Sequence, residues 1–138
     1  METEKFYLFD CGLARGLQHI PYIESKTSEF GRAFEHIIIN EVRAYLNYKD
    51  KHLPIYFWRT STGQEVDLIV GQLDLCLEIK ASSFVREQDL KGLKALCSDQ
   101  DVKQAIVVSQ DEEMRKIGDI LIMPWQVFCD ELWSGKLC

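Results

Sequence analysis

At 138 residues and 16.0 kDa the chain is one domain's worth of protein, able to bury roughly two thirds of its unfolded surface without staples. Hydrophobic residues at 46% and charged residues at 28% exclude a disordered or collagen-like chain. With 22 acidic against 16 basic residues and a net charge of −6, a surface that grips nucleic acid all round is excluded, though a local basic patch is not.

Phe6–Phe9 has strand composition and ends at Asp10-Cys11-Gly12, a turn signal. So short an opening strand needs a neighbour, and none follows, which implies a former connection upstream. Residues 12–27 read as a short helix and loop punctuated by Pro21. Residues 28–48 carry the clearest helical period: Ser28 is placed to cap it, and Phe30, Phe34, Ile37, Ile38, Val42, Tyr45 and Leu46 recur at spacings of three and four. A three-stranded meander follows, over Ile55–Arg59, Glu65–Val70 and Leu75–Lys80, with turns at Thr60–Gly63 and Gly71–Asp74. Residues 86–97 give a second helix with Leu90, Leu93, Ala95, Leu96 and Cys97 on its apolar face. Gln104–Ser109 reads as a buried strand, Asp111–Arg115 as a polar connection, and Ile120–Met123 as a last strand. Pro124 opens a closing helix, Trp125–Trp133, whose two tryptophans are expected to pack on the core. The order helix, three strands, helix, strand predicts an α/β domain with a mixed sheet.

Five cysteines, Cys11, Cys76, Cys97, Cys129 and Cys138, stand at no zinc spacing and cannot all pair internally. Reduced thiols, no signal-peptide pattern and no apolar run of transmembrane length predict a cytoplasmic protein with no membrane partner. His19, His36 and His52 show no ligand spacing and read as non-catalytic.

The informative residues are charges set where the pattern asks for apolar groups. Glu35 shares a helix face with Ile38, Val42 and Leu46, so it points towards the sheet. Strict alternation puts Glu65, Asp67 and Ile69 on one face of their strand, with Val66, Leu68 and Val70 on the other. Glu78 and Lys80 share a face of the next strand. A short meander therefore brings Asp67 beside Glu78 and Lys80, and three carboxylates and one ammonium converge at one end of the sheet. This suits Mg²⁺- or Mn²⁺-assisted phosphodiester hydrolysis. Asp67 and Glu78 would be ligands, with the Ile79 carbonyl completing the set, and Glu35 would hold a second ion or a water. Lys80 would position or deprotonate the water, or neutralise charge on the phosphate. Each piece alone is ordinary: E-x-K on a strand is commonly a solvated face, and Glu35 could pair with Arg32 or His36.

The ordered set resembles the PD-(D/E)XK nuclease superfamily, Asp67 matching its strand acid, Glu78-Ile79-Lys80 its tripeptide and Glu35 its helix glutamate. Val66 stands where that pattern has proline. Gln88 falls where some RecB-like and resolvase-like members carry a glutamine. A more specific resemblance spans nearly the whole chain. Lys5 to Arg15, Gly31-x-x-Phe34-Glu35, Asn40-Glu41, Phe57-Trp58-Arg59-Thr60, Gly63-x-Glu65-Val66-Asp67, Glu78 to Ser82 and Asp89 to Leu93 look like the C-terminal module of a family of bacterial and archaeal AAA+ ATPases. The resemblance implies a restriction-endonuclease-like core over residues 28–138. It also implies that residues 1–27 are the remnant of an upstream winged-helix-like linker, and that an ATPase domain acts in cis or in trans. No G-x-x-x-x-G-K-[ST] motif is present.

Around this core, Arg59 and Ser82 are candidate phosphate contacts and Gln88 a third nucleic-acid contact, while Arg59 could equally face Glu65 across its hairpin. Two functions stay open: a metal-dependent nuclease acting on nucleic acid, DNA first, and a non-catalytic module for docking, homo-oligomerisation or sensing within an ATPase. The complete acid and lysine set favours the first, and the acidic surface the second.

Overall fold

In the computed structural model residues 7–19 and 22–138 are described; Phe6 and Pro21, given a strand and a break by the sequence, lie outside them. Helix α1 is Cys11–Leu17 and α2 is Ser28–Tyr48; the strands are β1 Ile55–Arg59, β2 Glu65–Val70, β3 Leu75–Ile79, β4 Ala105–Ser109, β5 Arg115–Ile117 and β6 Ile120–Pro124; α3 is Lys91–Asp99 and α4 Trp125–Trp133. The six strands form one mixed sheet in the order β1-β2-β3-β4-β6-β5. β1 to β3 are the antiparallel meander, β3, β4 and β6 run parallel, and β5 returns antiparallel on the edge.

Helices cover both faces. Ile38, Ile39, Val42 and Leu46 of α2, with Phe128 and Leu132 of α4, pack on Leu68, Val70, Leu77 and Val108 of the sheet. Leu90, Leu93 and Leu96 pack on Val66, Ile69, Cys76 and Val107 across the other face. Central β3 and β4 are buried along their whole length, as expected of strands covered on both sides.

Four sequence expectations are corrected. Thr27, in extended conformation, caps α2 by accepting from the Phe30 N–H at 3.2 Å, and Ser28 is already the first helical residue. Residues 7–9 are not a strand. Their carbonyls are instead taken up by one stripe of α2: Asn40 donates to Leu8 O at 2.9 Å and Phe9 O at 3.0 Å, Arg43 donates to Tyr7 O at 3.2 Å, and the His36 ring bonds Leu8 O. Positions 36, 40 and 43 stack at helical spacing, so the helix replaces the missing strand partner. The second helix begins with a tighter turn, Glu87–Leu90, before α3 proper. Lastly, the tryptophans of α4 sit at its rim. Trp133 is 37% exposed, edge-on to Tyr45, and donates to Glu41 Oε2 at 2.9 Å, while Phe128 and Leu132 take the inward positions.

The connection after β4 also hides a polar core. Asp111 is buried and accepts from Val85 N at 3.0 Å, Ser109 Oγ at 2.7 Å and the Arg115 guanidinium at 2.9 Å. Arg115 in turn bonds Val85 O and lies 4.4 Å from the centre of the Phe84 ring. With every partner in place this network ties the loop after β3 to β4 and β5, and through it fixes the chain that follows Lys80.

Candidate active site

Alternation along β2 is broken where it matters. Tyr56 pairs with Ile69 and Trp58 with Val66, so Asp67 and Leu68 together oppose the single residue Phe57. This is a β-bulge, and it re-aims side chains. Val66 and Ile69 both reach the α3-side core, while Leu68 and Val70 reach the α2 side. Asp67 therefore parts company with Ile69, contrary to the alternation, and lines a cleft on the α2 side with Leu68 and Tyr7.

The β2–β3 ladder stops at the Leu68 and Leu77 pair. Beyond it the Asp67 carboxylate, in place of a backbone carbonyl, accepts the Ile79 N–H at 2.8 Å. Asp67 is 6% exposed and Glu78 4%. Glu78 Oε1 pairs with Lys80 Nζ at 2.6 Å, while Glu78 Oε2 is buried with no hydrogen-bond partner. Burial, and then the charge of Asp67, push the Glu78 carboxyl up from 4.5 to about 7 against the opposing pull of Lys80. Burial works against the Lys80 ammonium, but Glu78 and Asp67 outweigh it and its pKa is raised. Lys80 is a cation here.

On the other side of Asp67 stands Tyr7, whose hydroxyl donates to Glu35 Oε1. Burial, the Glu35 bond and the charges of Glu35, Asp67 and Glu65 raise the phenol far above its usual range, so it stays neutral. Asp67 thus joins two groups, Tyr7 with Glu35 and Glu78 with Lys80. Ile79 closes β3 with its side chain in the α2-side core. Arg59 is exposed and directly opposite Glu65, the register expected across the hairpin. Ser82 and Gln88 are exposed, Ser82 Oγ donating to Phe84 O at 3.4 Å and Gln88 lying in the tight turn before α3. Among the described residues, no group of three or more His, Cys, Asp or Glu side chains is set to hold an ion.

Sequence reasoning missed Tyr7, Arg43 and Asp89 as parts of this region. Tyr7 lies in a motif that assigns it no role, and its contact with Glu35 spans 28 positions. Asp89 adds negative charge beside Lys80 and accepts from Arg86 N at 2.8 Å.

Glu78 makes stability depend on pH. The unfolded side chain releases its proton near 4.5 and the folded one near 7, so the folded state binds more protons between those values. Stability then falls as pH rises through that window and is level below it. Urea unfolding near pH 5 and near pH 8 is expected to differ by about 1–3 kcal/mol, and Glu78→Gln to flatten the difference. A wild-type profile already flat would remove Glu78 as a buried, perturbed carboxyl.

Fold and cluster together define a mixed α/β domain that keeps an acid–lysine site where two central strands part. The family described as a domain of unknown function (DUF4143) matches residues 30–128, and the chain belongs to it; DUF4143 is a C-terminal domain of AAA-type ATPases. The match takes in Glu35, Asp67, Glu78 and Lys80 and stops short of Tyr7. No curated protein and no solved structure matches the chain. No described helix is long and apolar enough to cross a membrane.

Proposed function

We propose that this domain is a restriction-endonuclease-like module that hydrolyses phosphodiesters with Mg²⁺ or Mn²⁺, in nucleic acid brought to it by an ATPase domain in cis or in trans. The order α2, β1–β3, α3, β4 supports that core. One observation carries the chemistry: a buried glutamate oxygen, Glu78 Oε2, lacks any hydrogen-bond partner beside the equally buried Asp67. Desolvating a carboxylate oxygen without compensation is costly, and a hard cation compensates it. Asp67 and Glu78 are enough for an ion that needs one or two carboxylates and keeps its waters. Bound there, it would polarise a phosphate oxygen and the attacking water.

The chain's own groups have distinct tasks. Asp67 holds the parted strands through Ile79 N and would offer its carboxylate to the ion. Lys80, kept protonated by Glu78 and Asp67, is suited to stabilising charge that builds on the phosphate, rather than to removing a proton. Tyr7 fixes Glu35. In the net step a water oxygen bonds to phosphorus and one ester P–O bond breaks. Water gives up a proton and the leaving oxygen takes one, so no further reactant is required.

Calorimetric titration with Mn²⁺ and Mg²⁺, paired with cleavage assays on DNA and RNA, tests this. The wild type is expected to bind, and Asp67→Ala to bind at least about ten-fold more weakly. Asp67→Asn, whose amide oxygen still accepts from Ile79 N, separates loss of the ligand from loss of the fold. A wild type that binds neither ion overturns the reading, and the −6 chain is then a docking module.

A further inference from the structure

We infer that the cleft beside Asp67 receives one unpaired base of a nucleic-acid strand, which makes single strands and frayed ends, rather than intact duplex, the substrate of this site. The inference rests on the hydrolysis reading for its substrate class, but the cleft is built independently of any metal. It has a volume of about 330 Å³. Its lining includes apolar Ile39, Ile55 and Leu68 and the aromatic residues Tyr7 and Phe57. Arg43 lies along it and Asp67 belongs to both the cleft and the acid–lysine cluster.

Those features select a planar, largely apolar group attached to an anion. The ring of Tyr7, whose phenol burial and the Glu35 bond hold in the neutral form, offers a stacking face to any base. Among the described residues Arg43, exposed on α2 and donating to Tyr7 O, is the one cationic group lining the cleft, and it suits a phosphate that follows the base. The bulge in β2 turns Asp67 towards this cleft, so a base seated in it brings its own phosphodiester beside Asp67. A duplex does not fit. Paired bases are stacked and out of reach, and a net charge of −6 works against holding a double helix along its length. Unpairing a base costs least when it is already single-stranded.

Fluorescence anisotropy in EDTA, where no metal or cleavage enters, reads the cleft alone. A short oligothymidylate is expected to bind about ten-fold or more tightly than the same strand paired in duplex. The preference is expected to vanish when abasic sites replace the bases, a control that needs no variant, and in Phe57→Leu, which keeps the apolar volume without the ring. Equal affinity for intact and abasic strands, or an unchanged preference in a folded Phe57→Leu, overturns the inference. Repeating the assay with Mn²⁺ separates the two readings. A base preference without cleavage of any substrate leaves the cleft and sinks hydrolysis; cleavage without base preference does the reverse.

Discussion

Gly92→Ala is expected to destabilise the domain by about 2–3 kcal/mol, although alanine is the better helix former by roughly 1 kcal/mol. A Cβ at Gly92 would lie 1.9 Å from the Glu65 carbonyl oxygen and 2.9 Å from its carbon. Both are backbone atoms, so no side-chain rotation relieves the clash. Either α3 retreats or β2 gives way two residues before Asp67. Chemical unfolding measures the loss, and metal affinity is expected to fall with it because Asp67 rides on β2. Gly31→Ala in α2 is the control. Nothing lies within 4 Å of a Cβ there, so that variant is expected to gain about 0.5–1 kcal/mol. If Gly92→Ala gained as much, α3 would not be seated on β2 as the structure has it.

Periodicity was enough to place most of the elements. The 28–48 helix, β1, β2 and the 125–133 helix have the bounds that apolar spacing and turn residues give them, because each is a long or strongly punctuated pattern. Within the site, Asp67, Glu78 and Lys80 were legible because charge on a buried strand breaks a pattern, and the structure brings these three together. What was not legible depends on distant contacts or on local register. The bulge opposite Phe57 is invisible to an alternating pattern, so Asp67 was read on the face of Ile69. Residues 7–9 look like a strand since their composition is right, but their partners are Asn40, Arg43 and His36, more than two dozen positions away. Asp111 sat in a stretch rich in charge, where only the folded chain shows that Val85, Ser109 and Arg115 close around it.

On the proposed reading, the same bulge explains how an acidic protein would hold a site for anionic substrate. Where the β2–β3 ladder ends, the re-aimed carboxylate does the work of a backbone acceptor, and the Glu78–Lys80 pair stands at the end of β3. The half-buried Lys80 ammonium is held there by Glu78 while the chain as a whole stays acidic. On that reading, long-range capture of nucleic acid would fall to another domain, since screening confines the pull of one lysine to about 8 Å at physiological salt.

Lys80→Met is expected to lower kcat for phosphodiester cleavage by about 10²–10³, the usual loss when a charge-stabilising donor is removed from a developing oxyanion. It also leaves Glu78 buried without its ammonium, and breaking such a pair is destabilising even with Lys80 35% exposed, by about 1–3 kcal/mol after allowance for solvent. Loss of activity in this variant alone is therefore ambiguous. The double variant Lys80→Met with Glu78→Gln removes both charges and is expected to regain stability while staying inactive. Lys80→Arg restores a fixed cation and is expected to recover part of kcat. Thermal midpoints and single-turnover rates on the same four proteins separate the two roles. Should Lys80→Met cleave at the wild-type rate with its fold intact, the ammonium has no part in the chemistry. Should the double variant recover cleavage along with stability, Lys80 acts only by neutralising Glu78.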